Sequence, residues 1–357
     1  MQDPAATVGP RTADRAPLVT FAILAYNQAQ YVAAAVEAAM AQTYAPLEII
    51  VSDDASSDGT ADAIRRAVAA YQGPHQMRIN VNARNLGIGA HVNAVFRMAR
   101  GRIVVLAGGD DVSLPTRVER VVQEWVRHDP RPSAIYCGAR TISAEGEDLG
   151  RFVCEIATGP RDAEHLILFK HLTRMLAIGA CGAYDRELYD RFGELDPGLA
   201  IEDIPLIARA AMTNGVAYVD EDLVRYRTNV SVWRPLKQAG DTFQRRVARR
   251  LFYTRARLRV ARQVLQDALL MGDHGFIAAA SRAYALHELV HDACVRQRFP
   301  LRALVSVGLA TGNWRYPIAA TVLDGHPRLH ALLFWIKQWV FRSPRRPGSS
   351  SGPAVDP

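Results

Sequence analysis

The chain has 357 residues, 49% hydrophobic and 22% charged, with a formal net charge of +7. That composition is ordinary for a globular protein, and the length suits one large domain with an appendage or two domains. The basic balance points to anionic partners such as nucleotides, nucleic acid or an acidic membrane surface, while the scattered cysteines (Cys137, Cys154, Cys181, Cys294) exclude a disulfide framework and fit a reducing compartment.

The opening stretch, MQDPAATVGPRTADRAP, lacks the charged-then-apolar layout of a signal peptide and is expected to be a disordered arm over 1–16. No apolar run reaches the length of a spanning helix, so a cytoplasmic protein is expected, and the sequon at Asn229 is then without consequence. From Pro17 to about Arg140, β-rich runs (LVTFAIL, LEIIVS, MRINV, RIVVLA, SAIYC) alternate with helical ones (AQYVAAAVEAAMAQ, ADAIRRAVAAY, HVNAVFRMAR, TRVERVVQEWVRH). The strand runs are continuously apolar, as in strands buried on both faces. This repetition predicts an α/β fold, a mainly parallel sheet with helices on both faces, in which ligands bind beyond the carboxyl ends of the strands.

From Gly159 to about Arg234 the order is less regular: a helix (AEHLILFKHLTRM), a glycine-rich stretch (IGACGAY), then GLAIEDIPLIARAAMTNG and a strand (VAYVD). This reads as the substrate-binding half of the same domain, which spans 17–235. A helical, arginine-rich region follows over 236–342, and SPRRPGSSSGPAVDP closes the chain as a disordered tail over 343–357.

Two acidic clusters follow strands. In LEIIVSDDASSDGT, Asp58 is placed to cap the next helix, whereas Asp53 and Asp54 sit too early for that and suit a base N–H or ribose hydroxyls. In RIVVLAGGDDVSLP, Asp110 and Asp111 are adjacent and repel each other unless a basic group, a helix N-terminus or a divalent cation sits against them. A turn capping the following helix is the competing reading. In LAIEDIPLIARAA, Glu202 and Asp203 precede a helical stretch, so one of them serves either as a cap or as a general base.

In order along the chain, FAILAYN, IIVSDDASSDGT, NARNLGIGAHVNAVFRMARGRIVVLAGGDDVSLP and IED resemble family 2 glycosyltransferases of the GT-A fold, over roughly Pro17 to Ser231. The resemblance implies an inverting enzyme that takes a nucleotide-diphosphate sugar (UDP-, GDP- or dTDP-linked) and uses Mg²⁺ or Mn²⁺. It implies a donor site of Ala25, Tyr26, Asn27, Asp53, Asp54, Asn85, Gly87, Asn93, Gly109 and Asp110, with Tyr26 stacked on the base. Asp110 and Asp111 are implied as metal ligands, Asp203 as the catalytic base and Glu202 as an acceptor contact. A hard divalent cation held by one or two carboxylates and phosphates fits the pair on chemical grounds too, and Gly108 and Gly109 leave backbone open to the phosphates.

The departures are specific. Relatives often carry an aspartate at the position of Gly108 and a histidine soon after the YR of VRYRTNVSVW, where none occurs here. These gaps keep open a non-catalytic nucleotide-sugar-binding scaffold with a decayed metal site. The absence of the tryptophan motif of processive polymerases favours transfer of a single sugar, in surface polysaccharide or glycan assembly, to a glycan or lipid-linked acceptor. HELVH, His287 to His291, matches a zinc-protease signature but has no glutamate after it to act as a third ligand. GIGAHV lacks the third glycine of a dinucleotide fingerprint. The arginine-rich helix lacks the aromatic platforms of nucleic-acid binders, so no nucleic acid is expected. Trp335, Trp339 and Phe341 lie in LHALLFWIKQWVFRSPRR, which either packs on the domain or makes peripheral contact with the inner face of the plasma membrane.

Overall fold

The computed structural model describes residues 16–152, 178–228 and 243–296. Among these residues nine strands form one sheet: β1 Val19–Ala25, β2 Leu47–Asp53, β3 Gln76–Val81, β4 Ile103–Gly108, β5 Val112–Ser113, β6 Ala134–Ile142, β7 Asp148–Phe152, β8 Gly182–Asp185 and β9 Val216–Arg227. Their order is β3-β2-β1-β4-β8-β6-β9-β5, with β7 on the far half of β6. Among the described residues the α-helices are α1 Val32–Met40, α2 Thr60–Ala69, α3 Ile88–Met98, α4 Arg117–Arg127, α5 Glu187–Phe192, α6 Asp203–Ala211, α7 Phe243–Met271 and α8 His274–Val295.

The first four strands are parallel. β1 and β2 are buried almost end to end and β4 up to its last residue, which requires cover on both faces. The right-handed crossover rule for parallel β–α–β units puts α1 and α2 on one face as the chain steps from β1 to β3, and α3 on the other as it returns to β4. The direction of winding reverses between β1 and β4, and the crevice at such a switch point is where open α/β sheets take ligands. β3, read as a buried run, is instead a half-exposed edge strand.

Beyond β4 the sheet turns mixed. β8 runs antiparallel to both β4 and β6, while β9 runs parallel to β6. β9 continues well past the expected VAYVD. Asp220 and Glu221 bulge out where the register shifts from Cys137–Val219 to Gly138–Asp222, and Arg151 pairs with both Asp220 and Asp222. That ion-pair support lets an acidic stretch remain strand.

α7 and α8 form a hairpin through Gly272, whose φ is +71°. Asp273 caps α8 by accepting from the N–H groups of Gly275 and Phe276 at 2.8 and 3.0 Å. Val260, Val264, Ala268, Ala279 and Ala280 join the same apolar core as the sheet. A buried pair fastens the hairpin: Arg209 on α6 donates from Nε to Asp267 Oδ2 at 2.8 Å and from Nη2 to Oδ1 at 3.2 Å. In HELVH, His287 is buried, His291 Nδ1 lies 3.0 Å from Thr254 Oγ1, and Glu288 accepts from Tyr284. No helix among the described residues is long and apolar enough to cross a membrane. The helix expected at 163–175, Asn229, the stretch at 329–346 with Trp335, Trp339 and Phe341, and both expected disordered ends up to residue 15 and from 343 lie outside the described residues.

Candidate active site

The parallel register brings the sequence motifs together. Ala25 pairs with Asp53 across β1 and β2, and Leu24 pairs with Gly108 across β1 and β4. The ladder continues outward: Gly109 N–H donates to Leu24 O, Asp54 N–H to Ala25 O and Asn82 N–H to Asp53 O, each at 2.9 Å. The loops after β1, β2, β3 and β4 therefore share one rim.

On the β2 side the carboxylates are held by main chain. Asp53 accepts from the N–H and hydroxyl of Ser56, closing a turn in which Ala55 takes φ +57°, a conformation costly for a residue with a Cβ. Asp54 accepts from Leu86 N–H at 2.9 Å, Gly87 N–H at 3.0 Å and Asn82 Nδ2 at 2.8 Å, so it shapes the loop entering α3. Asn85 Oδ1 also accepts from Gly87 N–H. Asn27, itself at φ +52°, accepts from Ser57 N–H and donates its own N–H to Ser56 Oγ. Asp58 accepts from Thr60 N–H at the start of α2 and from Ala29 N–H, and these bonds outweigh burial and hold its carboxyl below the usual range. Tyr26 is half-buried between these loops. Asn93 is not at the rim: five residues into α3, about 8 Å further along, it bonds both N–H and C=O of Leu195.

On the β4 side a Cβ added to Gly108 would meet Asp111 Oδ2 at 2.7 Å and Asp110 Oδ1 at 2.9 Å. The two carboxylates thus converge over the glycine that stands where relatives carry a further aspartate. A Cβ on Gly109 would strike Gln28 Oε1 at 2.5 Å and Ala25 Cβ at 2.9 Å, so packing within the chain already demands glycine there. Burial pushes the Asp110 carboxyl up, against Arg227 and Gln28. Asp111 is pushed well up by burial and by the charge of Asp110, against Arg227 and Arg117. Arg117 is wholly buried behind the pair, donating to Ser113 Oγ and Leu106 O at 2.9 Å.

Such a pair fits a hard divalent cation. Two convergent carboxylate oxygens carry charge that burial and repulsion oppose, and no group of three or more His, Cys, Asp or Glu side chains among the described residues completes a cage. The remaining ligands of a Mg²⁺-like ion then fall to phosphate and water.

On a separate segment, Glu202 stands at the N-cap position of α6 without a side-chain capping bond, and Asp203 is the first residue of the helix, mostly buried. A 3₁₀ turn, Gly179–Cys181, presses on them: a Cβ on Gly179 would meet Glu202 Oε1 at 2.8 Å. Behind lie the phenols of Tyr136 and Tyr184, hydrogen-bonded to each other and pushed well up, first by burial. The Tyr226 phenol is driven up by burial and, in smaller part, by the charges of Asp111, Asp110 and Asp203. Sequence reasoning passed over Arg227, Arg117, Gln28 and Tyr226. The only signal was position: Arg117 two residues after Pro115, and Tyr226–Arg227 as the YR pair.

Solved structures share this architecture. The mannosyltransferase PcManGT from Pyrobaculum calidifontis, in complex with GDP-Man and Mn²⁺, is similar with a TM-score of 0.50 and 20% identity, over 87% of this chain and 88% of that one. TarS 1–349 of S. aureus, in complex with UDP-GlcNAc, has a TM-score of 0.53 and 14% identity, over 88% of this chain and 83% of that one. The fold is the GT-A fold of glycosyltransferases.

The family model "Glycosyl transferase family 2" matches residues 20–193. Curated relatives include a chondroitin synthase of Escherichia coli, 29% identical over 52% of this chain and 28% of the relative. The succinoglycan biosynthesis protein ExoO of Rhizobium meliloti is 36% identical over 32% of each. The chain thus spans about three tenths of the length of these relatives.

Proposed function

We propose that the protein transfers a single sugar from a nucleotide-diphosphate sugar to a hydroxyl acceptor, with inversion, in polysaccharide or glycan assembly. The observation that carries this reading is the convergence of the Asp110 and Asp111 carboxylates over Gly108, at the rim where β1, β2 and β4 end. The nucleotide-sugar complexes of the fold neighbours and the glycan-building relatives support it.

The nucleoside end of the donor lies against Ala25, Tyr26 and Asn27 and the loops shaped by Asp53, Asp54, Asn85 and Gly87, and Gly109 and Asp110 face its diphosphate. Asn93 holds the loop around Leu195 and so positions rather than binds. Asp110 and Asp111 hold the divalent cation, which when bound supplies Lewis-acid stabilisation of the departing diphosphate, roughly several kcal/mol. Asp203 accepts the acceptor's hydroxyl proton as that oxygen bonds to the anomeric carbon and the carbon–phosphate oxygen bond breaks. Such a base is typically worth about 10²–10⁴ in rate. Glu202 orients the acceptor.

The test is nucleotide release from UDP-, GDP- and dTDP-sugars with Mn²⁺ or Mg²⁺. Asp203→Asn and Asp110→Asn are each expected to lower turnover by at least about a hundredfold. Unchanged rates refute the assigned roles, and nucleotide binding indifferent to metal with no turnover of any donor points to the scaffold instead.

A further inference from the structure

Arg227 ends β9 and is only 8% exposed. Its main-chain N–H donates to Asp111 Oδ1 at 2.8 Å, and its Nε donates to the main-chain oxygen of Asp110 at 3.0 Å. Nη1 donates to the carbonyls of Ser143 at 2.9 Å and Ala144 at 2.7 Å, in the turn between β6 and β7. The guanidinium lies 4.6 Å from the ring centre of Tyr31, just before α1. One residue therefore joins four separate segments around the acidic pair. β9 does not need these side-chain bonds to form, since its ladders to β6 and β5 already fix it.

The charges add a second consequence. Arg227 and the buried Arg117 both act on Asp111, so two guanidinium groups offset the charge of the pair. A divalent cation entering alone gains less Coulomb energy from an offset pair than from a bare one, whereas one arriving with a diphosphate brings its own counter-charge. Gly108, in place of a further carboxylate, keeps that balance.

We propose that Arg227 is the positioning residue of the acidic pair: it fixes Asp110 and Asp111 in their receiving geometry and offsets their charge, so that a divalent cation binds more tightly together with a nucleoside diphosphate than alone. This rests on the donor-site reading above.

The test uses the full chain, with free Mn²⁺ followed by electron paramagnetic resonance, first alone and then with UDP or GDP. Wild type is expected to bind Mn²⁺ at least about tenfold more tightly with one nucleotide than without. Arg227→Gln, which removes the charge, is expected to bind Mn²⁺ alone about tenfold more tightly than wild type. Its kcat is expected to fall about a hundredfold because the pair is no longer held in place, with donor KM changing less. Arg227→Lys keeps the charge but not the planar fork, so Mn²⁺ binding alone stays at the wild-type level while kcat falls. A residue that merely held the fold would weaken Mn²⁺ binding and melting temperature together.

The proposal is overturned if wild type binds Mn²⁺ equally well with and without nucleotide. It is equally overturned if Arg227→Gln binds Mn²⁺ no more tightly than wild type, or if Arg227→Lys turns over like wild type. Should Arg227→Gln fail to fold, Arg227→Lys carries the comparison alone. Absence of any turnover by wild type would refute the transferase reading, and the Mn²⁺ titrations would still decide the role of Arg227.

Discussion

The Arg209–Asp267 pair gives the sharpest test of how the helical hairpin is held. Both side chains are buried, with relative exposures of 0% and 4%. Asp267→Ala leaves a guanidinium in the interior with its charge uncompensated, and breaking a buried pair this way typically costs about 3–5 kcal/mol. Arg209 keeps its bond from Nη1 to Gly193 O at 2.8 Å, which argues for the lower end, about 3 kcal/mol. For a domain of this size each kcal/mol moves the melting temperature by about 2–4 °C, so a fall of about 6–12 °C is expected. Replacing both partners, as in Arg209→Met with Asp267→Leu, removes the unpaired charge and is expected to restore stability to within about 1 kcal/mol of wild type. Urea melts of the single and double variants, compared at unchanged slope, provide the assay. An Asp267→Ala loss below about 1 kcal/mol, or a double variant no better than the single, would refute this account of the pair.

Two other variants probe the site. Because burial raises the carboxyls of Asp110 and Asp111, the folded chain binds their protons more tightly than the unfolded chain. Without cation or nucleotide their ionisation therefore subtracts from stability as pH rises above the ordinary aspartate range. Asp111→Asn is expected to flatten that decline and to stabilise the neutral-pH protein by about 1 kcal/mol while abolishing turnover; melts in chelator across pH check it, and an Asp111→Asn variant that melts below wild type counts against it. Gly179→Ala puts a methyl group 2.8 Å from Glu202 Oε1 and is expected to raise acceptor KM about tenfold by displacing that side chain. Donor KM should hold, and initial-rate kinetics with both substrates varied separate the two.

The sequence was most legible where one physical cause dominated. Runs such as LEIIVS and RIVVLA read as strands because burial on both faces leaves no other pattern, and β2 and β4 occupy them. β9 was truncated because Asp220, Glu221 and Asp222 resemble a loop; what keeps them in strand is Arg151 and Arg140, about 70–80 residues away in the chain, and no local window carries that. Asp53 and Asp54 were visible as a rim cluster, but their hydrogen bonds to Ser56, Leu86 and Gly87 N–H groups depend on turns with positive φ that composition does not announce. Arg227 stayed hidden for a different reason. In a chain with 43 lysines and arginines, nothing local distinguishes the one whose amide and guanidinium fall beside the acidic pair.

The sheet's outermost strand on the β9 side, β5, is the two residues immediately after Asp111. The segment that would otherwise offer an open margin for another chain to zip onto is thus the anchor of the acidic pair. Shifting that anchor to suit a new donor would unzip the margin as well, so diversification of substrate has an easier route through the loop after β2, whose remodelling leaves β5 paired to β9.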